Sequence, residues 1–176
     1  MSGLSAGNGS ARGNGSAAPD VPGAITTVHR YELPLEPTTV WSLINGVERY
    51  RSWWPWLRQF EGGGLSAGDE WYCTVQPPVP YVVRFRVVIN EVEPPSLVRA
   101  QVLGDVVGHA TLVLEPAPDG CVAVLHSSLA PGNTPLALVS RFAAPIAKFG
   151  HDWVLDSAAR QFIARAIEPA LGDVAS

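Results

Sequence analysis

An α+β domain is what this sequence predicts: an antiparallel sheet of about seven strands, a long C-terminal helix, and two short helices after the first strand. Three observations predict it. Apolar and polar residues alternate with period two through most of residues 70–130, as half-buried strands do. Short loops rich in Gly and Pro separate those stretches, and strands so joined pair antiparallel, because parallel neighbours need long crossovers. Over the last third of the chain the apolar period becomes helical.

In chain order, a first strand is expected from Ile25 to Leu35. Pro37 then opens a short helix through Val40, Trp41, Leu43 and Ile44, since proline at a first helical position loses only an N–H that has no helical partner. Asn45-Gly46 stops it. A second short helix carries Val47 to Tyr50 and ends near Pro55, because the residue before a proline resists helical angles. Turn signals at Gly62-Gly63-Gly64 and Gly68-Asp69 precede a strand in which Trp71, Cys73 and Val75 alternate with polar neighbours. After the stiff Pro77-Pro78-Val79-Pro80 loop, Val83, Phe85, Val87 and Ile89 share one face and Arg84 and Arg86 the other. Pro94-Pro95 ends that run. A strand through Val98, Ala100 and Val102 follows, then a pair from His109 to Glu115 and from Cys121 to Ala130 around the turn 116–120.

Thr134-Pro135 reads as a helix start, a capping hydroxyl followed by proline, with Leu136, Val139 and Ile146 at helical spacing. Pro145 and Gly150 predict a kink or break between about Ala144 and Gly150. The strongest helix is then expected from roughly His151 to Ile167, with His151, Leu155, Ala158 and Phe162 on one face.

Composition bounds the function. The 176 residues suit one domain with a full core. Twelve basic and sixteen acidic residues give a net charge of −4, with no basic run, which argues against nucleic acid as partner. Cys73 and Cys121 lie far apart, outside any C-x-x-C pair, and read as buried free thiols rather than metal or redox groups. Residues 1–23 are dominated by Gly, Ser, Ala and Asn, a composition expected to stay disordered, as is a short tail over 169–176. The folded domain is thus expected over 24–168. The first residues lack the apolar core of a secretory signal, and no apolar run reaches eighteen residues, so a cytoplasmic protein without stable membrane insertion is expected. The sequence carries no signal for an oligomeric state or a cofactor.

The densest feature is the segment Glu48-Arg-Tyr50-Arg-Ser-Trp53-Trp54-Pro55-Trp56-Leu57, which holds three of the six tryptophans. Together with Pro37-Thr-Thr-Val40-Trp41-Ser-Leu43-Ile44 and Val47-Glu48-Arg-Tyr50, it resembles the opening of the START-like, or SRPBCC, superfamily, which includes the polyketide cyclase/dehydrase and lipid-transport-like proteins. Gly150-His151-Asp152-Trp153-Val154-Leu155 also looks like a segment in the last helix of some bacterial members. The resemblance covers about residues 25–167. It implies a helix-grip fold, a curved sheet wrapped around the last helix with a cavity between them. It does not imply one function, because the superfamily spans transporters, cyclases and ligand sensors.

On that fold Trp71, Cys73, Val75, Phe85, Val87 and Ala100 would line the sheet side of the cavity, and His151, Leu155, Ala158 and Phe162 the helix side. The small residues Cys73, Ala100, Ala123, Ser127 and Ala158 leave room. A dry pocket of roughly 300 Å³ would cost about 7 kcal/mol at the rate of core-truncation series, against a domain stability of about 5–15 kcal/mol. Such a pocket is expected to be wet, occupied or partly collapsed.

His151 is the strongest candidate for acid/base chemistry near neutral pH; the competing reading is a core histidine satisfied by one hydrogen bond. Asp152 points about 100° away on a helix and is not expected to orient it. His126 and His109 read as outward or weak, and four scattered histidines make no metal site. Ser127 has no nucleophile-elbow setting. Trp54 and Trp56 either gate the cavity or simply pack under the short helices. Two functions are in play: a non-catalytic carrier or sensor of a hydrophobic small molecule (lipid, polyketide-like or aromatic), and a cyclase or dehydratase using His151, with Trp71 or Tyr81 holding the substrate. A third, ranked last, is a partner-binding module using the apolar 136–146 helix.

Overall fold

A computed structural model describes residues 24–78, 81–132 and 144–174. The elements are β1 (Ile25–Leu33), α1 (Pro37–Ile44), a 3-10 turn (Val47–Arg49), α2 (Tyr50–Trp53), β2 (Leu57–Glu61), β3 (Glu70–Val75), β4 (Val83–Glu93), β5 (Leu97–Gly104), β6 (Val106–Ala117), β7 (Gly120–Pro131) and α3 (Ala144–Phe162). A π-helical turn (Ile163–Ile167) then leads into α4 (Glu168–Val174). The seven strands form one antiparallel sheet in the order β1-β7-β6-β5-β4-β3-β2, curled around α3. This is the α+β helix-grip architecture.

Alternation places the sheet's two faces as expected. Phe85, Val87 and Ile89 point to the concave face, while Arg84 and Arg86 point outward, with Arg86 paired to Glu70 at 3.0 Å. Irregularities in register at Leu57/Gln59 and Ile89/Glu91 add local bends of the kind that curl a sheet. The β6–β7 hairpin turns tightly, with Ala117 opposite Gly120. Gly120 takes φ +141°, and a Cβ there would meet the Leu33 carbonyl oxygen at 2.2 Å, so only glycine fits where β7 starts beneath the end of β1.

Several boundaries differ from the sequence reading. β1 ends at Leu33 rather than Leu35. The second short helix is a 3-10 turn continued by α2 through Trp53. β2 has no counterpart among the expected strands, since Leu57-Arg-Gln-Phe-Glu alternates poorly. No break separates Ala144 from Gly150. Pro145 is the second described residue of α3, and the helix runs on unbroken through Gly150. It also continues past Ile167 to Val174, through residues expected to be tail.

The π turn has a local cause. Pro169 lacks an N–H, and its ring would crowd the carbonyl of Arg165 in a regular ladder. Widening the helix over Ile163–Ile167 relieves that conflict, and Glu168 N–H bonds the Ile163 carbonyl instead. Residues 1–23 and the segment holding Thr134-Pro135 and Leu136 to Ala143 lie outside the described residues.

The core gathers at one end of the helix. Val40, Val47, Tyr50 and Trp53 from the short helices meet Phe162, Ala166 and Ile167 there. Beyond that core the face of α3 from Gly150 to Phe162 lines an open space over the sheet.

Candidate functional site

The space between α3 and the concave face is a cavity of about 670 Å³. That is well inside the roughly 300–1,000 Å³ of small-molecule sites. Its wall alternates off successive strands: Trp71, Cys73 and Val75 from β3, Phe85 and Val87 from β4, Ala100 and Val102 from β5, Ala110 and Leu112 from β6. Left dry, such a void would cost about 16 kcal/mol at the rate of core-truncation series, more than the stability of an ordinary domain. The fold therefore requires the space to be filled by solvent or by a guest.

One end of the cavity is an aromatic box. Tyr50, 6% exposed, sits at its centre, with ring centroids 4.8 Å from Trp54, 5.2 Å from Phe60 and 5.6 Å from Trp71. Every indole N–H lining this end already donates to the protein. Trp54 Nε1 donates to the Ala158 carbonyl at 3.0 Å, Trp56 Nε1 to Gln161 Oε1 at 3.0 Å, and Trp71 Nε1 to the Gly64 carbonyl at 2.7 Å. The Tyr50 hydroxyl donates to the Ile44 carbonyl. Trp54 and Trp56 thus tie α3 to the α2–β2 connection, and they offer a guest only ring faces and edges. Trp53 takes no part in the lining; it is 4% exposed and packs edge-on to Phe162 at 5.2 Å.

The other end carries hydroxyls and an imidazole. Register sets Thr27 of β1 opposite Ser127 of β7, their hydroxyl oxygens 2.9 Å apart. Ser127 Oγ lies 3.4 Å from His151 Nε2, and His151 Nδ1 lies 3.5 Å from Asp152 Oδ1. Both distances are at the outer limit of a hydrogen bond. The helical spacing predicts that Asp152 points away from His151; just past the buried Gly150 the two side chains instead lean together. Further along the same seam, Tyr31 donates to Asp156 Oδ1 at 3.3 Å, with His29 Nδ1 3.9 Å from the same oxygen. Burial and the Asp156 charge push the Tyr31 phenol up to about 12. Among the described residues no His, Cys, Asp or Glu cluster is fit to hold a metal ion, and no helix is long and apolar enough to cross a membrane.

The sequence matches the family model described as polyketide cyclase/dehydrase and lipid transport, over residues 24–175. The chain belongs to that family. No curated protein sequence matches it. Among solved structures it is similar to TTHA0849 from Thermus thermophilus, with 16% identity and TM-score 0.63, covering 81% of this chain and 99% of that one. It is also similar to norcoclaurine synthase from Thalictrum flavum in complex with dopamine and hydroxybenzaldehyde, with 14% identity and TM-score 0.55, covering 81% and 89%. A third is the di-domain ARO/CYC StfQ from the steffimycin biosynthetic pathway, with 9% identity and TM-score 0.60; the match covers 85% of this chain and 52% of that one. At these identities the likeness is one of fold.

Within this member of the family, the residues singled out from sequence fall on one surface. Trp54, Trp56, Trp71, Cys73, Val75, Tyr81, Phe85, Val87, Ala100, Ser127, His151, Leu155, Ala158 and Phe162 all stand on the cavity wall. Sequence reasoning put Tyr81, Ser127 and His151 there but missed Tyr31 on the wall, Thr27 behind Ser127, and the approach of Asp152 to His151. The parity of β1 puts Thr27, His29 and Tyr31 on the face of Ile25 and Leu33, which was legible. Which of them meets Ser127 depends on β1–β7 register, which was not.

Cys73 and Cys121 are both free and buried. Burial pushes the Cys73 thiol up to about 12. At pH 8 its thiolate fraction is then about a thousandfold below that of an ordinary cysteine. Alkylation of native protein by iodoacetamide, followed by peptide mapping, should leave Cys73 unmodified while unfolded chain reacts at once. The sign for stability follows: Cys73 and Tyr31 stay neutral when folded, so their contribution is constant below pH 9 and is lost as pH rises from there to about 12, where the unfolded chain ionises first.

Proposed function

We propose that this protein binds a hydrophobic small molecule, lipid, polyketide-like or aromatic, in the cavity beneath α3, and acts as a carrier or sensor in the cytoplasm. The observation that carries this reading is the 670 Å³ space itself, walled by apolar side chains and too large to be left dry. Membership of a family described by lipid transport as well as by cyclase chemistry agrees with it. So does a solved neighbour of the same fold in complex with two small aromatic molecules. The test is a titration of the purified full chain with 4-hydroxybiphenyl, read by calorimetry and by tryptophan fluorescence. Saturable binding at one site supports the reading; no binding of this probe or of a panel of lipids and aromatics contradicts it.

A second reading, a cyclase- or dehydratase-type enzyme, draws on the Asp152–His151–Ser127 chain. A carboxylate at Nδ1 favours the tautomer whose Nε2 accepts a proton. His151 would take a proton from carbon next to a carbonyl and return it to the hydroxyl that leaves as water, with Trp71 or Tyr81 holding the substrate. Incubation with a poly-β-keto thioester separates the readings. If the enzyme reading holds, turnover exceeds the uncatalysed background and His151→Ala removes it, by about 10²–10⁴-fold for a lost acid/base group. Turnover unchanged in the variant rejects that role.

A further inference from the structure

The cavity is polarised, and its polarity selects among apolar ligands. This inference rests on the binding reading and deepens it. At the aromatic end the indole N–H groups and the Tyr50 hydroxyl are spent on protein carbonyls and on Gln161. At the other end stands Tyr81, just before β4. Tyr81 lines the cavity with its hydroxyl close to Gly150 of α3, and among the described residues no hydrogen bond from that hydroxyl is seen. The ring reaches the helix: a Cβ built on Gly150 would lie 3.6 Å from the Tyr81 hydroxyl, ordinary contact distance, so that hydroxyl rests beside α3 one residue from His151. Ser127, 4% exposed, faces the same turn of α3 through His151 Nε2. Three elements therefore bring hydrogen-bonding groups to one end of a greasy chamber: the approach to β4, β7 and the early turns of α3.

The charges matter as much as the donors. Among the described residues the wall holds no Arg, Lys, Asp or Glu. The one basic group on the wall is His151, whose Nδ1 already lies 3.5 Å from the Asp152 carboxylate, so a carboxylate or phosphate buried there would bring a second anion to that single imidazole, and burying a poorly paired ion is far costlier than burying a neutral hydroxyl. Length follows from α3: His151 and Phe162 are eleven residues apart, about 16 Å along a helix.

We propose that the ligand is an elongated, uncharged apolar molecule with a hydroxyl, phenol or ketone oxygen at one end, that oxygen meeting Tyr81, Ser127 and His151 while the body lies in the aromatic box. Burial holds the Tyr81 phenol above its ordinary value, so it remains a proton donor at neutral pH. A free fatty acid or other anionic amphiphile is selected against.

The experiment compares biphenyl, 4-hydroxybiphenyl and biphenyl-4-carboxylate by calorimetry on the full chain and on Tyr81→Phe and Ser127→Ala, with circular dichroism to establish folding. The phenol should bind about tenfold tighter than biphenyl, as one added neutral hydrogen bond allows, and the carboxylate weakest of the three. Tyr81→Phe should bring the phenol-to-biphenyl ratio close to one, with Ser127→Ala narrowing it less. A phenol no tighter than biphenyl, a carboxylate as tight as the phenol, or a ratio untouched by both substitutions overturns the inference while leaving hydrophobic binding in place. Failure of all three probes to bind overturns this inference, and failure of the panel of lipids and aromatics as well overturns the binding reading.

Discussion

Replacing Ala158 by Phe should make the protein more stable and destroy its capacity for a guest. Ala158 lines the helix side of the cavity, and a phenyl ring there would enter open space. Burying the added ring should stabilise by about 1.5–3 kcal/mol, the usual worth of a large apolar side chain removed from water. In a packed core the same substitution costs about 1–3 kcal/mol through displaced neighbours. The sign of the change in urea denaturation thus reports whether the interior is hollow. Ala100→Phe, on the sheet floor opposite, should act the same way and guards against a local effect on the helix. Affinity for 4-hydroxybiphenyl should fall at least tenfold in both.

The opposite pattern is expected in the tryptophan segment, where adjacent residues have separable tasks. Trp53→Ala removes a ring buried against Tyr50 and Phe162 and should cost about 3–5 kcal/mol, a large part of a domain's stability. Because Trp53 does not line the cavity, the folded fraction should keep its affinity. Trp54→Phe keeps the ring but loses the N–H that bonds the Ala158 carbonyl, costing about 1 kcal/mol. That bond holds α3 just before the π turn, so its loss should loosen the helix over the cavity and weaken guest binding more than it weakens the fold. Denaturation and calorimetry on the two variants read the contrast directly.

Much of this architecture was legible because periodicity is local. The alternation of Val83, Phe85, Val87 and Ile89 fixes a strand and its inner face without any knowledge of its partners. The opening motif and the spacing of His151, Leu155, Ala158 and Phe162 then named the elements that face each other. What escaped was set by contacts between distant segments. β2 is a strand because β3 holds it, although Leu57-Arg-Gln-Phe-Glu alternates weakly. The continuity of α3 through Gly150 goes against the local preference of a glycine, a weak bias that tertiary context overrides. The polar end depends on β1–β7 register and on the meeting of Tyr81 with Gly150, neither of which a one-dimensional pattern encodes.

Native mass spectrometry of the full chain, purified without detergent or organic solvent, measures the central proposition most directly. A chamber of this size and chemistry should carry a co-purified neutral, apolar molecule in wild type, released by solvent extraction and missing from Ala158→Phe. A wild-type protein of bare polypeptide mass that also takes up no added aromatic or lipid, and is destabilised by Ala158→Phe, would contradict it.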